Sequence, residues 1–156
     1  MTRSSQPTSP PVVDLKVQSD PANIAGVRKA VEDAATGAGL DEKGVAEVGL
    51  CVNEAMANVI RHAYGGATDR PIVVAAHCQD GGLVVTIRDW GNGVNPATLP
   101  PKPFDPLEPG GLGLICLRRM MDGVTYAPQA DGGMLLVMKK NKPQPGAGGK
   151  SERGHE

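Results

Sequence analysis

The spacing of apolar residues changes along the chain, and these changes restrict the fold. Between residues 24 and 64 the apolar side chains recur every three or four positions, which predicts two amphipathic helices, one after Asp20 and one after Asp41. Residues 72–88 and 124–139 instead form short apolar runs around glycine turns, which predicts two β-hairpins. Grouped helices and paired hairpins favour an α+β protein over a doubly wound parallel sheet.

The predicted elements follow in the order β-α-α-β-β-loop-α-β-β. Val13, Leu15 and Val17 alternate as a first strand ahead of the two helices. A loop with six prolines covers residues 90–109, and a third helix is expected at about residues 114–121. We therefore expect a two-layer α/β sandwich, in which a mixed sheet carries the helices on one face.

The two ends of the chain show no such periodicity. Residues 1–11 and 141–156 consist largely of Pro, Gly, Ser and charged residues, so we expect two disordered tails around one domain at residues 12–140. Five basic and two acidic residues fall within residues 139–156, which leaves residues 1–138 mildly acidic. Without a basic stripe, and with one Trp, two Tyr and one Phe, the domain is not expected to bind nucleic acid directly.

Cysteine spacing and hydropathy indicate the compartment. The cysteines at positions 51, 78 and 116 show no CxxC spacing, so neither a disulfide framework nor a zinc site is indicated. The first residues contain no apolar signal segment, and the longest purely apolar run, residues 134–138, is too short to span a bilayer. We expect a cytoplasmic protein that is neither secreted nor inserted in a membrane.

Glu54 and Asn58 lie one turn apart in the second predicted helix, at the border of its apolar stripe. Glu47 and His62 extend the same polar line. Such a pair is ordinary on a solvated helix flank. Asn is nevertheless a poor residue for a helix interior, because its side chain competes for backbone hydrogen bonds, which favours a specific use. Both interpretations stay open for the helix taken alone.

Two glycine-containing segments follow the hairpin. Residues 88–93 read Arg-Asp-Trp-Gly-Asn-Gly after an apolar strand, where glycines permit close approach of a ligand and an acidic side chain can accept from a base amino group. Residues 109–114 read Pro-Gly-Gly-Leu-Gly-Leu and enter the third helix, whose first N–H groups can bind an anion. This segment is neither a Walker A loop nor a dinucleotide-binding fingerprint. Each segment alone is also an ordinary turn.

In this order and spacing, the three segments resemble the N, G1 and G2 boxes of the GHKL, or Bergerat-fold, ATPases. Residues 53–64, the short lid and residues 117–122 (Leu-Arg-Arg-Met-Met-Asp) are similar to the anti-sigma-factor serine/threonine protein kinases of that family. The resemblance covers roughly residues 12–140 and implies the histidine-kinase-like ATPase fold.

The resemblance also implies roles for individual residues. Asn58 corresponds to the ligand of the Mg²⁺ that bridges the ATP phosphates, and Glu54 to the general base toward the attacking hydroxyl. Asp89 corresponds to the acceptor for the adenine amino group, and residues 95–109 to the ATP lid. Further positions correspond to those that shape the base pocket or offer N–H groups to the phosphates: Gly91, Gly93, Gly111, Leu112 and Gly113.

The function implied is an ATP-dependent kinase that phosphorylates a STAS-type anti-anti-sigma protein and binds a sigma factor, with a homodimer as a further possible partner. One departure from the family pattern lies before the second glycine box. Glu108, Pro109 and Gly110 stand where the best-known anti-sigma kinases carry an Arg and a small hydroxyl residue, and Lys102 is a candidate replacement for the charge. This departure keeps open an alternative, a nucleotide-switched binding module without significant kinase activity.

Three further residues and one further function class receive less weight. We expect His62 to be a hydrogen-bonded structural residue, and Arg118 and Arg119 to lie on a solvated helix surface. The ATP-binding half of a histidine kinase is disfavoured, because about 40 residues precede the helix of Glu54, too few for a phosphoacceptor helical hairpin.

Overall fold

A computed structural model describes residues 9–79, 81–91 and 113–143, with side chains of the third helix described from residue 117 onward. The predicted order of elements is confirmed over these residues. The elements are β1 (Val13–Gln18), a 3₁₀ turn (Pro21–Asn23), α1 (Ile24–Gly37), α2 (Glu42–Asn58), a π turn (Val59–Ala63), β2 (Pro71–Gln79), β3 (Gly82–Arg88), α3 (Gly113–Met120), β4 (Gly123–Pro128) and β5 (Met134–Asn141).

The five strands form one sheet in the order β1-β2-β3-β5-β4. The predicted α+β sandwich is confirmed, but the sheet is antiparallel at each described pairing rather than mixed. The reason is the position of β5, which lies between β3 and β4. A parallel pair would require β4 to lie beside β3 after the α3 crossover, whereas the β4–β5 hairpin instead places β5 against β3 in the opposite direction.

The predicted helix starts depend on two aspartates. The Asp41 carboxylate accepts a hydrogen bond from the Gly44 N–H at 2.8 Å and begins α2. The Asp20 carboxylate accepts from the Ala22 N–H at 2.9 Å and begins the 3₁₀ turn that leads into α1. Each cap satisfies an N–H group that has no partner within its helix, so both helix origins follow from local sequence.

The helices pack on one face of the sheet, and the core lies between the two layers. Apolar side chains of both layers meet there, and each large one contributes roughly 1.5–3 kcal/mol through its burial. Its fully buried members include Val27, Val31, Val48, Val52, Met56, Ile72, Val74, Val85, Ile87 and Met138. None of the described helices is long and apolar enough to cross a bilayer.

Gly82 and Gly26 differ in the space that a Cβ atom would have. A Cβ on Gly82, the first residue of β3, would overlap the Lys140 carbonyl of β5, so Gly82→Ala should lower the free energy of unfolding by about 1–3 kcal/mol. A Cβ on Gly26 in α1 would meet nothing within 4 Å, so Gly26→Ala should raise it by about 0.5–1 kcal/mol. Urea unfolding of both variants measures these changes. Effects of the same sign would contradict the packing described here.

Candidate functional site

A narrow cavity, partly open to solvent, lies between α2 and one end of the sheet. Three sheet residues lie side by side along it in register, Ile87 of β3, Leu136 of β5 and Tyr126 of β4. Apolar walls with a few polar groups are typical of small-molecule sites. The remaining lining residues come from α2, the π turn and the ends of β3 and β5: Ala55, Asn58, Val59, His62, Ala63, Asp89 and Met134.

Asp89 follows directly after β3 and is only 4% exposed. Its N–H donates to the Met134 carbonyl at 3.0 Å, which ties it to the start of β5. Its carboxylate accepts from the Gly91 N–H at 2.9 Å. Burial raises the pKa of the Asp89 carboxyl above its usual value, while backbone hydrogen bonds and the Arg88 charge partly oppose this effect. The result is a desolvated acceptor at the edge of an apolar cavity.

Two glycines allow three backbone segments to meet around Asp89. A Cβ on Gly91 would overlap the Ala63 carbonyl in the π turn. A Cβ on Gly133, whose φ is +79°, would overlap the Asp89 carbonyl. The predicted residue Gly91 therefore lies beside the cavity without lining it. Gly133 was not predicted as a site residue, because a glycine pair between two strands is an ordinary hairpin signal.

Asn58 and Glu54 occupy different positions relative to the cavity. Asn58 is half-buried, lines the cavity and makes no capping hydrogen bond to the helix. Glu54 is 4% exposed and is not among the described residues that line it. Its charge nevertheless helps to raise the pKa of Tyr126, which does line the cavity. Asn58 and Asp89 therefore line the same cavity. Glu54 is buried and does not line it, but its charge acts on the cavity residue Tyr126.

Tyr126 is a cavity residue that the sequence did not identify. Burial raises the pKa of its hydroxyl to about 12, Glu54 adds to the increase, and the charge of Arg118 opposes it. Arg118 is exposed on α3, as expected, yet its charge acts on a cavity residue. The available signal was the alternation of Val124 and Tyr126 in β4, which places both on the core face of the sheet.

The π turn gives the second helix an unexpected end. The Tyr64 N–H donates to the Val59 carbonyl at 3.0 Å, a spacing of five residues. Such π segments occur frequently at functional sites. His62, which was predicted to be structural, is exposed on this turn and lines the cavity. The apolar rhythm of the sequence continues through the turn without Gly or Pro, so no local signal predicts it.

Several predicted site residues fall where the chain is not described. Gly93, Gly111, Leu112, Lys102 and the lid at residues 95–109 all lie between residues 92 and 112. Gly113 is the first residue of α3. For Mg²⁺, the described donor is the Asn58 amide. A neutral hard oxygen suits this ion when phosphate oxygens and water complete its coordination, so the residue present fits the group.

Asp89→Asn is expected to stabilise the protein without ligand at neutral pH. The raised pKa means that the ionised carboxylate costs more in the folded than in the unfolded state, and the amide removes that cost. The gain should be full above the folded pKa and vanish below the ordinary value of 3.8, where both states are protonated. Thermal unfolding over a pH series measures it. Asp69→Asn on the exposed surface is the control, and a gain of equal size there would contradict the account.

Comparison with known proteins places these motifs in a family. A model described as a histidine kinase-like ATPase domain matches residues 17–140. The anti-sigma F factor of Heyndrickxia coagulans is 35% identical over 95 residues, which span 58% of this chain and 65% of that protein. The serine-protein kinase RsbW of Bacillus velezensis is 26% identical over 142 residues, 85% of this chain and 87% of that protein. RsbW of Listeria innocua is 28% identical over 136 residues, 82% and 85% of the two chains.

The matched region contains the cavity and the elements that form it. Residues 17–140 run from the end of β1 into β5 and include Asn58, Asp89 and the π turn. The resemblance inferred from the three motifs is confirmed over most of the chain. This chain belongs to the family of histidine kinase-like ATPase domains.

Proposed function

We propose that this chain is an ATP-dependent serine/threonine protein kinase that acts as an anti-sigma factor. Its substrate is a STAS-type anti-anti-sigma protein, and in the alternative complex it binds a sigma factor, with a homodimer as a further possible assembly. The convergence of Asp89 and Asn58 on one cavity is the observation that carries the proposal. Relatives named anti-sigma F factor and serine-protein kinase RsbW support it.

The base lies beside Asp89 in this proposal. Ile87, Leu136 and Met134 offer an apolar surface for a flat ring, and the buried Asp89 carboxylate accepts from its amino group. A base with a carbonyl at that position would bring two acceptors together. The lost hydrogen bond and the unpaired groups would cost about 1–3 kcal/mol, which selects adenine.

The phosphates extend from the base toward Asn58 and α3. Asn58 offers a neutral amide oxygen from the cavity wall. Mg²⁺, when bound there, neutralises part of the triphosphate charge. The first turn of α3, which begins at Gly113, adds N–H groups and the positive end of a helix dipole. Both contributions hold the γ-phosphate in place without covalent chemistry.

Phosphoryl transfer requires a proton acceptor near the partner's hydroxyl. In the proposal, the hydroxyl oxygen of a Ser or Thr bonds to the γ-phosphorus while the bond to the β–γ bridging oxygen breaks and ADP leaves. The Glu54 carboxylate takes the hydroxyl proton. Because Glu54 is buried and does not line the described cavity, this role requires that the carboxylate become accessible when the substrates bind.

A second candidate function is a nucleotide-switched binding module that lacks significant kinase activity. Two observations favour it. Glu108, Pro109 and Gly110 stand in the places of the Arg and hydroxyl residue of the best-known anti-sigma kinases, and Glu54 is buried and does not line the described cavity. In this case nucleotide binding changes affinity for the partner without a chemical step. Phosphate transfer to the partner separates the two functions.

The test combines the purified chain, radiolabelled ATP, Mg²⁺ and a candidate STAS protein. A kinase places label on a Ser or Thr of the partner, and a binding module leaves the partner unlabelled. Glu54→Gln should leave ATP affinity nearly unchanged and reduce transfer by roughly 10²–10⁴-fold, because it removes only the base. Asn58→Ala should weaken binding of Mg-ATP and transfer together. Equal loss of binding in both variants would contradict the separate roles.

A further inference from the structure

The Tyr64 hydroxyl joins two segments that lie far apart in the sequence. It donates to the Pro71 carbonyl at 2.6 Å and accepts from the Trp90 N–H at 2.8 Å. Burial raises the pKa of the Tyr64 hydroxyl, so it keeps the proton that it donates at neutral pH. The hydroxyl thus donates one hydrogen bond and accepts another. Tyr64 itself does not line the cavity.

The Trp90 N–H belongs to the turn that carries Asp89. The N–H of Asp89 is held by the Met134 carbonyl, the N–H of Trp90 by Tyr64, and the N–H of Gly91 by the Asp89 carboxylate itself. Three consecutive peptide groups are therefore fixed, each by a different partner. The Tyr64 hydrogen bond ties this turn to the end of the π turn that follows α2.

Close packing around the turn fixes the position of Tyr64 relative to the Trp90 peptide. The Gly91 backbone lies so near the Ala63 carbonyl that a Cβ would not fit. Tyr64 follows Ala63 at the end of the π turn, whose widened backbone determines where the Tyr64 ring leaves the helix. The side chain of Trp90 is held separately, because it stacks with Arg88 at 4.3 Å and its indole N–H donates to Asp131. Removal of the Tyr64 hydroxyl thus frees the peptide but leaves the indole in place.

We propose that Tyr64 is a positioning residue that sets the base selectivity of the nucleotide site through the backbone of residues 89–91. It holds the Trp90 peptide, and that peptide orients the Asp89 carboxylate toward the base. This proposal rests on the proposed function, since it assigns the selectivity of the same site. Tyr64 does not touch the nucleotide, so its loss should change the preference between bases more than it changes the chemistry of transfer.

Ser19 supplies a matched control. It is fully buried, and its hydroxyl donates to the Ala67 carbonyl at 2.6 Å and accepts from the Arg70 N–H at 3.1 Å. Ser19→Ala therefore removes one hydroxyl with one donated and one accepted bond, as Tyr64→Phe does. Both hydroxyls anchor the segment between the π turn and β2. The bonds of Ser19 do not reach the turn of Asp89.

The experiment measures two quantities in the wild type, Tyr64→Phe and Ser19→Ala. The first is amide hydrogen exchange at Trp90 without nucleotide, which should accelerate in Tyr64→Phe beyond any change in global stability. The second is the ratio of dissociation constants for inosine triphosphate and ATP, which differ at the amino position of the base. Tyr64→Phe should reduce the ratio of the inosine triphosphate dissociation constant to the ATP dissociation constant by about 3- to 10-fold, which is roughly the effect of one hydrogen bond. Ser19→Ala should lower the melting temperature and leave the ratio within about twofold.

Each other outcome overturns a definite claim. If the wild type prefers ATP but Tyr64→Phe keeps the full ratio, the positioning role is wrong and the proposed function stands. If both variants narrow the ratio equally, the effect is general destabilisation, and the positioning role is again wrong. If the wild type binds both nucleotides equally, the hydrogen bond from the base to Asp89 is wrong, and the selectivity role of Tyr64 fails with it. If the wild type binds neither nucleotide, the proposed function fails as well.

Discussion

The buried Asp89 carboxylate is the constraint around which the rest of the site is arranged. A carboxylate that is 4% exposed is costly unless its surroundings hold it, and here the start of β5, the turn after β3 and the π turn all approach it closely. Burial disfavours the charged form of Asp89, and its raised pKa reflects this cost. Such a cost is common where a group serves binding, and in the proposed function the carboxylate accepts a further hydrogen bond from the amino group of adenine.

The antiparallel sheet determines what faces Asp89. Because β5 lies between β3 and β4, the residues Ile87, Leu136 and Tyr126 come into one row beneath α2. The same order brings the Gly133 turn against the Asp89 backbone. On the helix layer, the change from α to π geometry directly after Asn58 places His62 on the cavity and Tyr64 against the Trp90 peptide. The contacts that hold the sheet, the Gly133 turn and the π turn together are therefore the same contacts that form the cavity.

Local signals in the sequence predict much of this arrangement. The caps at Asp20 and Asp41, the apolar periods and the glycine turns are each contained within a few residues, so they locate the helices and strands. Asn58 and Asp89 were also identified, through the resemblance to the GHKL ATPases. Their placement in one cavity follows from the fold that this resemblance implies.

The features that were missed depend on contacts distant in sequence. No single strand determines the strand order, so the antiparallel pairing of β3 with β5, and the position of Tyr126 beside Leu136 that follows from it, could not be predicted from local sequence. The π turn is not marked by Gly or Pro, and its Ala63 carbonyl packs against Gly91, which is distant in sequence. The burial of Glu54 is likewise a result of how α2 sits on the sheet, although its helical position was predicted correctly.

In the proposed function, the Asp89 carboxylate accepts a hydrogen bond from the amino group of adenine. Calorimetry of the wild type and Asp89→Asn with ATP and inosine triphosphate tests this hydrogen bond most directly. The wild type should bind ATP more tightly by about 1–3 kcal/mol, because inosine presents a carbonyl to the carboxylate. An Asn amide can donate to that carbonyl, so Asp89→Asn should lose or reverse the preference. Equal affinities in the wild type, or an ATP preference that Asp89→Asn leaves unchanged, would contradict the account.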